Sequence, residues 1–118
     1  MRTFARILTA AAIAVTGLVS TQQAEAGDCT GRVVGVRSLA FYNHATGAGF
    51  LAVRRGPGSK SRQIGEVYAG DLVSVYDRSG NWYHITCMEG DCENPLWGPR
   101  YPSGWVSSRY VSAGGVCP

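Results

Sequence analysis

The 118-residue chain has no apolar run long enough to span a bilayer, little net charge and only two histidines. Spanning takes about 20 apolar residues, and the longest candidate, Ile7 to Val19, offers about 13. A formal charge of +3 is too weak for the basic stripe that nucleic-acid binding usually shows. His44 and His84 have no carboxylate or nucleophile at a meaningful spacing in sequence. Ser107 and Ser108 do not sit in a nucleophile elbow. The acidic residues are scattered and form no evident pair. Nothing marks a catalytic centre or a cofactor site, and the expectation is a chain that is not an enzyme.

What the chain does have begins at its amino terminus. Arg2 and Arg6 precede the apolar run, and a polar stretch from Ser20 ends in Ala24-Glu25-Ala26. That order describes a secretory signal peptide over residues 1–26, with cleavage before Gly27. Residues 27–118 remain, about 92 in all, enough for one domain. Arg2, Arg6 and Glu25 leave with the signal, so the charge falls from +3 to about +2. No membrane insertion is expected afterwards, and the chain is expected in the periplasm or outside the cell. Asp28 stands before Cys29 where lipid attachment would want a small residue.

All four cysteines (Cys29, Cys87, Cys92 and Cys117) lie in the mature segment. An even number in a small exported domain indicates disulfides, with three connectivities open. Cys87–Cys92 and Cys29–Cys117 are favoured. The first pair brackets a four-residue loop, and the second joins the chain's two ends. By loop-closure entropy the long bridge is worth about 4 kcal/mol and the short one about half that. The rival is zinc held by cysteines with His44 or His84, but the spacing contains no compact metal-binding pair.

Beyond the signal, short apolar or alternating runs are punctuated by Gly, Pro, Asn and Asp, the pattern of an all-β domain. Strands are expected at 32–36, 50–54, 63–67, 72–76, 82–87 and 104–107. Long loops fall at 38–49 and 88–103. The segment 55–62 carries Gly56, Pro57 and Gly58 and cannot be regular structure, its glycines permitting positive φ. Five or six short strands close most economically into a small barrel.

From Phe50 onward the motifs occur in a familiar order. Leu51-Ala52-Val53-Arg54-Arg55-Gly56-Pro57-Gly58 is followed by Ile64-Gly65-Glu66-Val67, then Ala69-Gly70-Asp71-Leu72-Val73-Ser74-Val75. Ser79-Gly80-Asn81-Trp82-Tyr83-His84-Ile85 comes next, and Gly104-Trp105-Val106-Ser107-Ser108-Arg109-Tyr110-Val111 last. The ordered set resembles the bacterial SH3 (SH3b) family, which implies a small SH3-like barrel. It also implies recognition of peptidoglycan peptides or of a protein segment. The two long loops depart from the family's compact links.

Trp82, Tyr83, Trp105 and Tyr110 belong to that pattern and are expected in the barrel's core and rim. One of Trp82 or Tyr83 could instead floor a groove, since neighbours on a strand face opposite sides. Trp97 and Tyr101 fall in a proline-rich loop outside the strands. Arg54, Arg55, Lys60 and Arg62 form a basic cluster suited to an anion. Tyr42, Arg54, Arg55, Trp82, Trp97 and Tyr101 are therefore the candidate ligand-binding residues. The alternative is a secreted interaction factor, an inhibitor or envelope-complex subunit, that uses the enlarged loops.

Overall fold

Valines at alternate positions organise the chain. Val73 and Val75 are fully buried while Ser74 between them is only partly so, and Ile85 and Cys87 repeat the alternation on the next strand. The computed structural model describes residues 28–118; the expected signal peptide lies outside the described residues. Seven strands are present: β1 (Cys29–Val33), β2 (Leu51–Arg54), β3 (Gln63–Val67), β4 (Leu72–Ser79), β5 (Trp82–Glu89), β6 (Ser103–Ser107) and β7 (Val111–Gly115). All pairings are antiparallel, in the order β3-β2-β6-β5-β4-β1-β7.

Laid flat, β3 and β7 would stand about 29 Å apart at the usual strand spacing. Yet Val67 of β3 and Val111 of β7 share one core cluster with Val33, Val53, Val75, Ile85 and Val106. The sheet is therefore rolled into a small SH3-like barrel. Register shifts beside Tyr76, at Val53/Arg54 and at Leu72/Val73 supply bends. Pro102 lies where a side chain on Gly65 would be, so the second long loop packs against the β3 edge.

The barrel has seven strands rather than five or six, because the glycine-rich tail pairs with β1 from Val111 to Gly115. The first strand also begins earlier than expected, at Cys29 instead of Arg32. It buries Cys29, Gly31 and Val33 in alternation, and Val34 to Val36 turn away after it. In the 55–62 loop, neither Gly56 nor Gly58 takes positive φ. The loop closes by hydrogen bonds instead: Ser61 Oγ accepts from Gly56 N at 2.7 Å, and Arg62 O from Arg55 N at 2.9 Å.

Both favoured disulfides form, Cys29–Cys117 and Cys87–Cys92. Cys87 and Cys92 also lie close to Asp71, but their sulfurs are joined to each other and offer no thiolate. Asp71 is instead a structural tie. Its Oδ2 accepts from Tyr68 N at 2.8 Å and its Oδ1 from Asp91 N at 2.7 Å. Gly90, at φ 123°, passes so close to Asp71 that a side chain there would collide with the carboxylate. Burial pushes the Asp71 carboxyl above the usual carboxylate range, against the pull of those N–H groups.

Candidate functional site

The two long loops meet over β3. Glu66 is completely buried, and an isolated carboxylate there would be costly. Three donors surround it. Tyr42 Oη lies 2.9 Å and Tyr68 Oη 2.8 Å from Oε1, and His44 Nδ1 lies 2.6 Å from Oε2. Sequence spacing left His44 without a carboxylate; folding brings one from 22 residues away. The His44 ring stacks on Trp97 at 4.6 Å and on Phe50 at 5.6 Å. Leu96 N donates to Tyr68 Oη at 2.8 Å, fastening the second loop to the same cluster.

The phenols in this cluster are held protonated. Burial, with the Glu66 carboxylate beside it, pushes Tyr42 up to about 12, and the same causes drive Tyr68 higher still. Hydroxyls held in that form donate hydrogen bonds and do not act as nucleophiles. The arrangement is a brace that joins both insertions to the barrel.

A second aromatic row lies on β4, β5 and β6. His84 stacks on Trp105 at 4.8 Å, and Tyr76 tilts against His84 at 4.7 Å. The Tyr76 hydroxyl lies 2.8 Å from both Thr86 Oγ1 and Ser103 Oγ. His84 and Trp105 are stacked face to face, whereas Tyr76 meets His84 at a tilt and stays exposed.

An open groove lies elsewhere, around Tyr110. Tyr83 packs against the core, so Trp82, its neighbour on β5, faces the other way. Trp82 lines a cavity of about 500 Å³ with Ser59, Asn81, Ser107, Arg109 and Tyr110. Tyr110 also lines a cavity of about 300 Å³ with Val36, Arg37, Phe50 and Leu51 and with Gly47 to Gly49 of the first long loop. Tyr110 ends a short turn between β6 and β7. Its ring lies against Gly35, whose φ of 71° and missing side chain leave room for the contact. Ser108 N donates to Asn81 O at 2.8 Å, fastening that turn to the β4–β5 hairpin.

The expected site residues divide among these places. Tyr42 and Trp97 join through His44 in the brace. Trp82 lies in the groove, and the basic loop reaches the same groove through Ser59. Arg54 donates to Ser61 O at 2.9 Å, holding that loop in shape, while Arg55 is exposed. Tyr101 is turned to Glu93, with Arg100 over its ring at 5.3 Å. Sequence reasoning passed over Arg109, Arg37 and Glu66. Only the Arg109-Tyr110 pair within the last motif hinted at the first of them.

Comparison with known proteins places the chain. The bacterial SH3 domain family matches residues 49–112. Over 65 residues the chain is 34% identical to the "Putative N-acetylmuramoyl-L-alanine amidase YrvJ" of Bacillus subtilis (strain 168), an alignment covering 55% of this chain. It spans only 10% of that much longer protein. No solved structure matches. With its motifs in order, its strands paired as a rolled antiparallel sheet and more than half its length matched, the chain belongs to the bacterial SH3 domain family.

Proposed function

We propose that the protein is an exported, non-catalytic binding module that holds an extended cell-wall peptide in the groove on either side of Tyr110. The observation that carries this reading is the groove itself, where Trp82 and Tyr110 supply rigid apolar contact. Asn81, Ser107 and Ser59 stand beside them with groups able to bond a peptide backbone. The similarity to a protein named as an N-acetylmuramoyl-L-alanine amidase favours the wall as the source of that peptide. Two disulfides favour an oxidising compartment outside the cytoplasm. Residues 1–26 act in this reading as the signal that takes the chain there.

Purified peptidoglycan should sediment the disulfide-bonded protein, and Trp82→Ala should leave most of it in the supernatant. Complete recovery of the unaltered protein in the supernatant would defeat the reading. Mass measurement of the exported form tests the signal: the chain should begin at Gly27.

A second reading rests on a different surface. Phe41 is 58%, Leu96 60% and Trp97 38% exposed, on the loops that the Glu66 brace secures. A protein partner could dock there, with Trp97 as an anchor and Tyr42 and Tyr101 as supporting contacts. Cross-linking in cells that recovers no protein partner would count against it.

A further inference from the structure

We propose that the groove selects a peptide bearing two separated carboxylates, one met by Arg37 and the other by Arg109. The proposal rests on the groove being the peptide-binding face and adds which peptides it accepts. Each of the two cavities flanking Tyr110 contains an arginine, and neither is lined by an acidic residue. Tyr110, which is uncharged, is common to both cavities, and Trp82 shares the second with Arg109. The chemistry is therefore one cation in each of two cavities that meet at an aromatic ring.

The charges of the fold are sorted in a way that supports this. Between Cys29 and Gly65 the chain carries Arg32, Arg37, Arg54, Arg55, Lys60 and Arg62 and no acidic residue. Glu89, Asp91 and Glu93 gather around the short disulfide. Glu89 ends β5 and Trp82 begins it, about 23 Å apart at the usual rise per residue. Asp77, on the same hairpin as Asn81 and Trp82, accepts from Arg78 N at 2.8 Å and lines neither cavity. Glu66 is buried with Tyr42, Tyr68 and His44, and Asp71 accepts from backbone N–H groups. Among the described residues, neither Arg37 nor Arg109 has a carboxylate partner; the ion pair is His44–Glu66.

Arg37 is nonetheless held in place. Its guanidinium carbon lies over the Phe41 ring, 4.8 Å from the centroid, and the group carries an edge of N–H donors. That edge matches a carboxylate bidentately. A polyanion with a charge on every repeat would meet only two cations here, one in each cavity. A peptide with carboxylates at two points and an uncharged stretch between them fits one arginine in each of two cavities that share Tyr110.

The test uses the exported, disulfide-bonded chain and three fluorescent probes. The first is the pentapeptide Ala-Glu-Ala-Ala-Ala with a free carboxyl terminus, the second is its twin with both carboxyls amidated, and the third is a five-nucleotide uridylate. The dicarboxylate should bind about tenfold or more tightly than the amidated twin, the usual scale for a lost charged hydrogen bond. Arg37→Gln and Arg109→Gln should each weaken the dicarboxylate about tenfold and leave the twin unchanged. Both side chains are exposed, so these variants should keep the circular-dichroism spectrum of the parent.

Equal affinity for peptide and twin, indifference to both arginine changes, or no binding of the dicarboxylate would overturn the proposal. Tighter binding of the uridylate with the same arginine dependence would overturn it in favour of a nucleic acid. Failure here while Trp82→Ala still abolishes sedimentation with peptidoglycan would sink the charge selection and leave the wall-binding reading standing. Carboxylate-dependent binding without sedimentation would do the reverse.

Discussion

The brace and the groove are built from similar residue types and put them to opposite use. Around Glu66, tyrosines, a histidine and a tryptophan turn inward, and every donor described there has a partner. Around Tyr110, a tryptophan, a tyrosine and two arginines turn outward, and among the described residues the arginines have no carboxylate partner. A fully paired buried network stiffens what it holds, whereas exposed and unpaired groups retain their capacity for a ligand. The two insertions, where loop-borne function was expected, thus do much of their work in holding themselves to the barrel. The groove draws on family-pattern residues on the Trp82 side, and on Gly47, Ala48 and Gly49 of the first insertion on the Arg37 side.

The contrast can be broken by substitution, and the largest effect belongs to neither region. Replacing Cys29 and Cys117 by serine frees a loop with a sequence separation of 88 and should cost about 4 kcal/mol in denaturant titration. A loss below about 1 kcal/mol would mean that the β1–β7 pairing holds the ends without help. Next comes Glu66→Ala, which strips the partner from three donors at once and should cost about 3 kcal/mol. Peptidoglycan retention of the folded fraction should persist, because the cavity lined by Trp82 and Arg109 shares no residue with the brace, which meets only the other cavity, at Phe50. Loss of retention in protein that is still folded would show the two regions to be coupled.

Trp82→Ala should show the opposite profile. Its stability change should stay near 1 kcal/mol, since the side chain is only partly buried, while peptidoglycan retention falls at least about tenfold. Unfolding on the scale of the Glu66 variant would instead make Trp82 part of the core. The smallest effect is in alkali. Tyr42 keeps its proton to about 12 in the fold, against about 10 in an unfolded chain. Its contribution is fully present below pH 10 and is lost as the pH rises through 12, the folded state binding the extra proton. Tyr42→Phe should cost about 1 kcal/mol at neutral pH and flatten the decline in stability between pH 10 and 12. An unaltered decline would assign that window to Tyr68 and the other phenols.

Much of the barrel was legible from residue order. The third strand falls at 63–67 as expected, and β2, β5 and β6 depart from their expected spans by no more than two residues. These are segments where β-branched alternation and turn residues agree. The first strand was misplaced because Val33, Val34 and Val36 look more like a strand than Cys29-Thr30-Gly31. Its true register is set by β4 and β7, which lie 40 or more residues away in sequence. The last strand was understated for a related reason, since Gly114 and Gly115 have weak strand preference until β1 pairs with them.

Residue order alone determined the all-β class and the family, and favoured one of the three cysteine pairings, which the fold then formed. Each depends on local alternation, on turn chemistry or on spacings that few folds satisfy. Only the tertiary structure decided that His44 meets Glu66, that Trp97 closes the brace while Tyr101 does not, and that Tyr110 lines one cavity with Arg37 and another with Trp82 and Arg109. Those meetings join residues from separate strands and loops, and the rolling of the sheet, driven by burial of its valine face, decides which of them become neighbours.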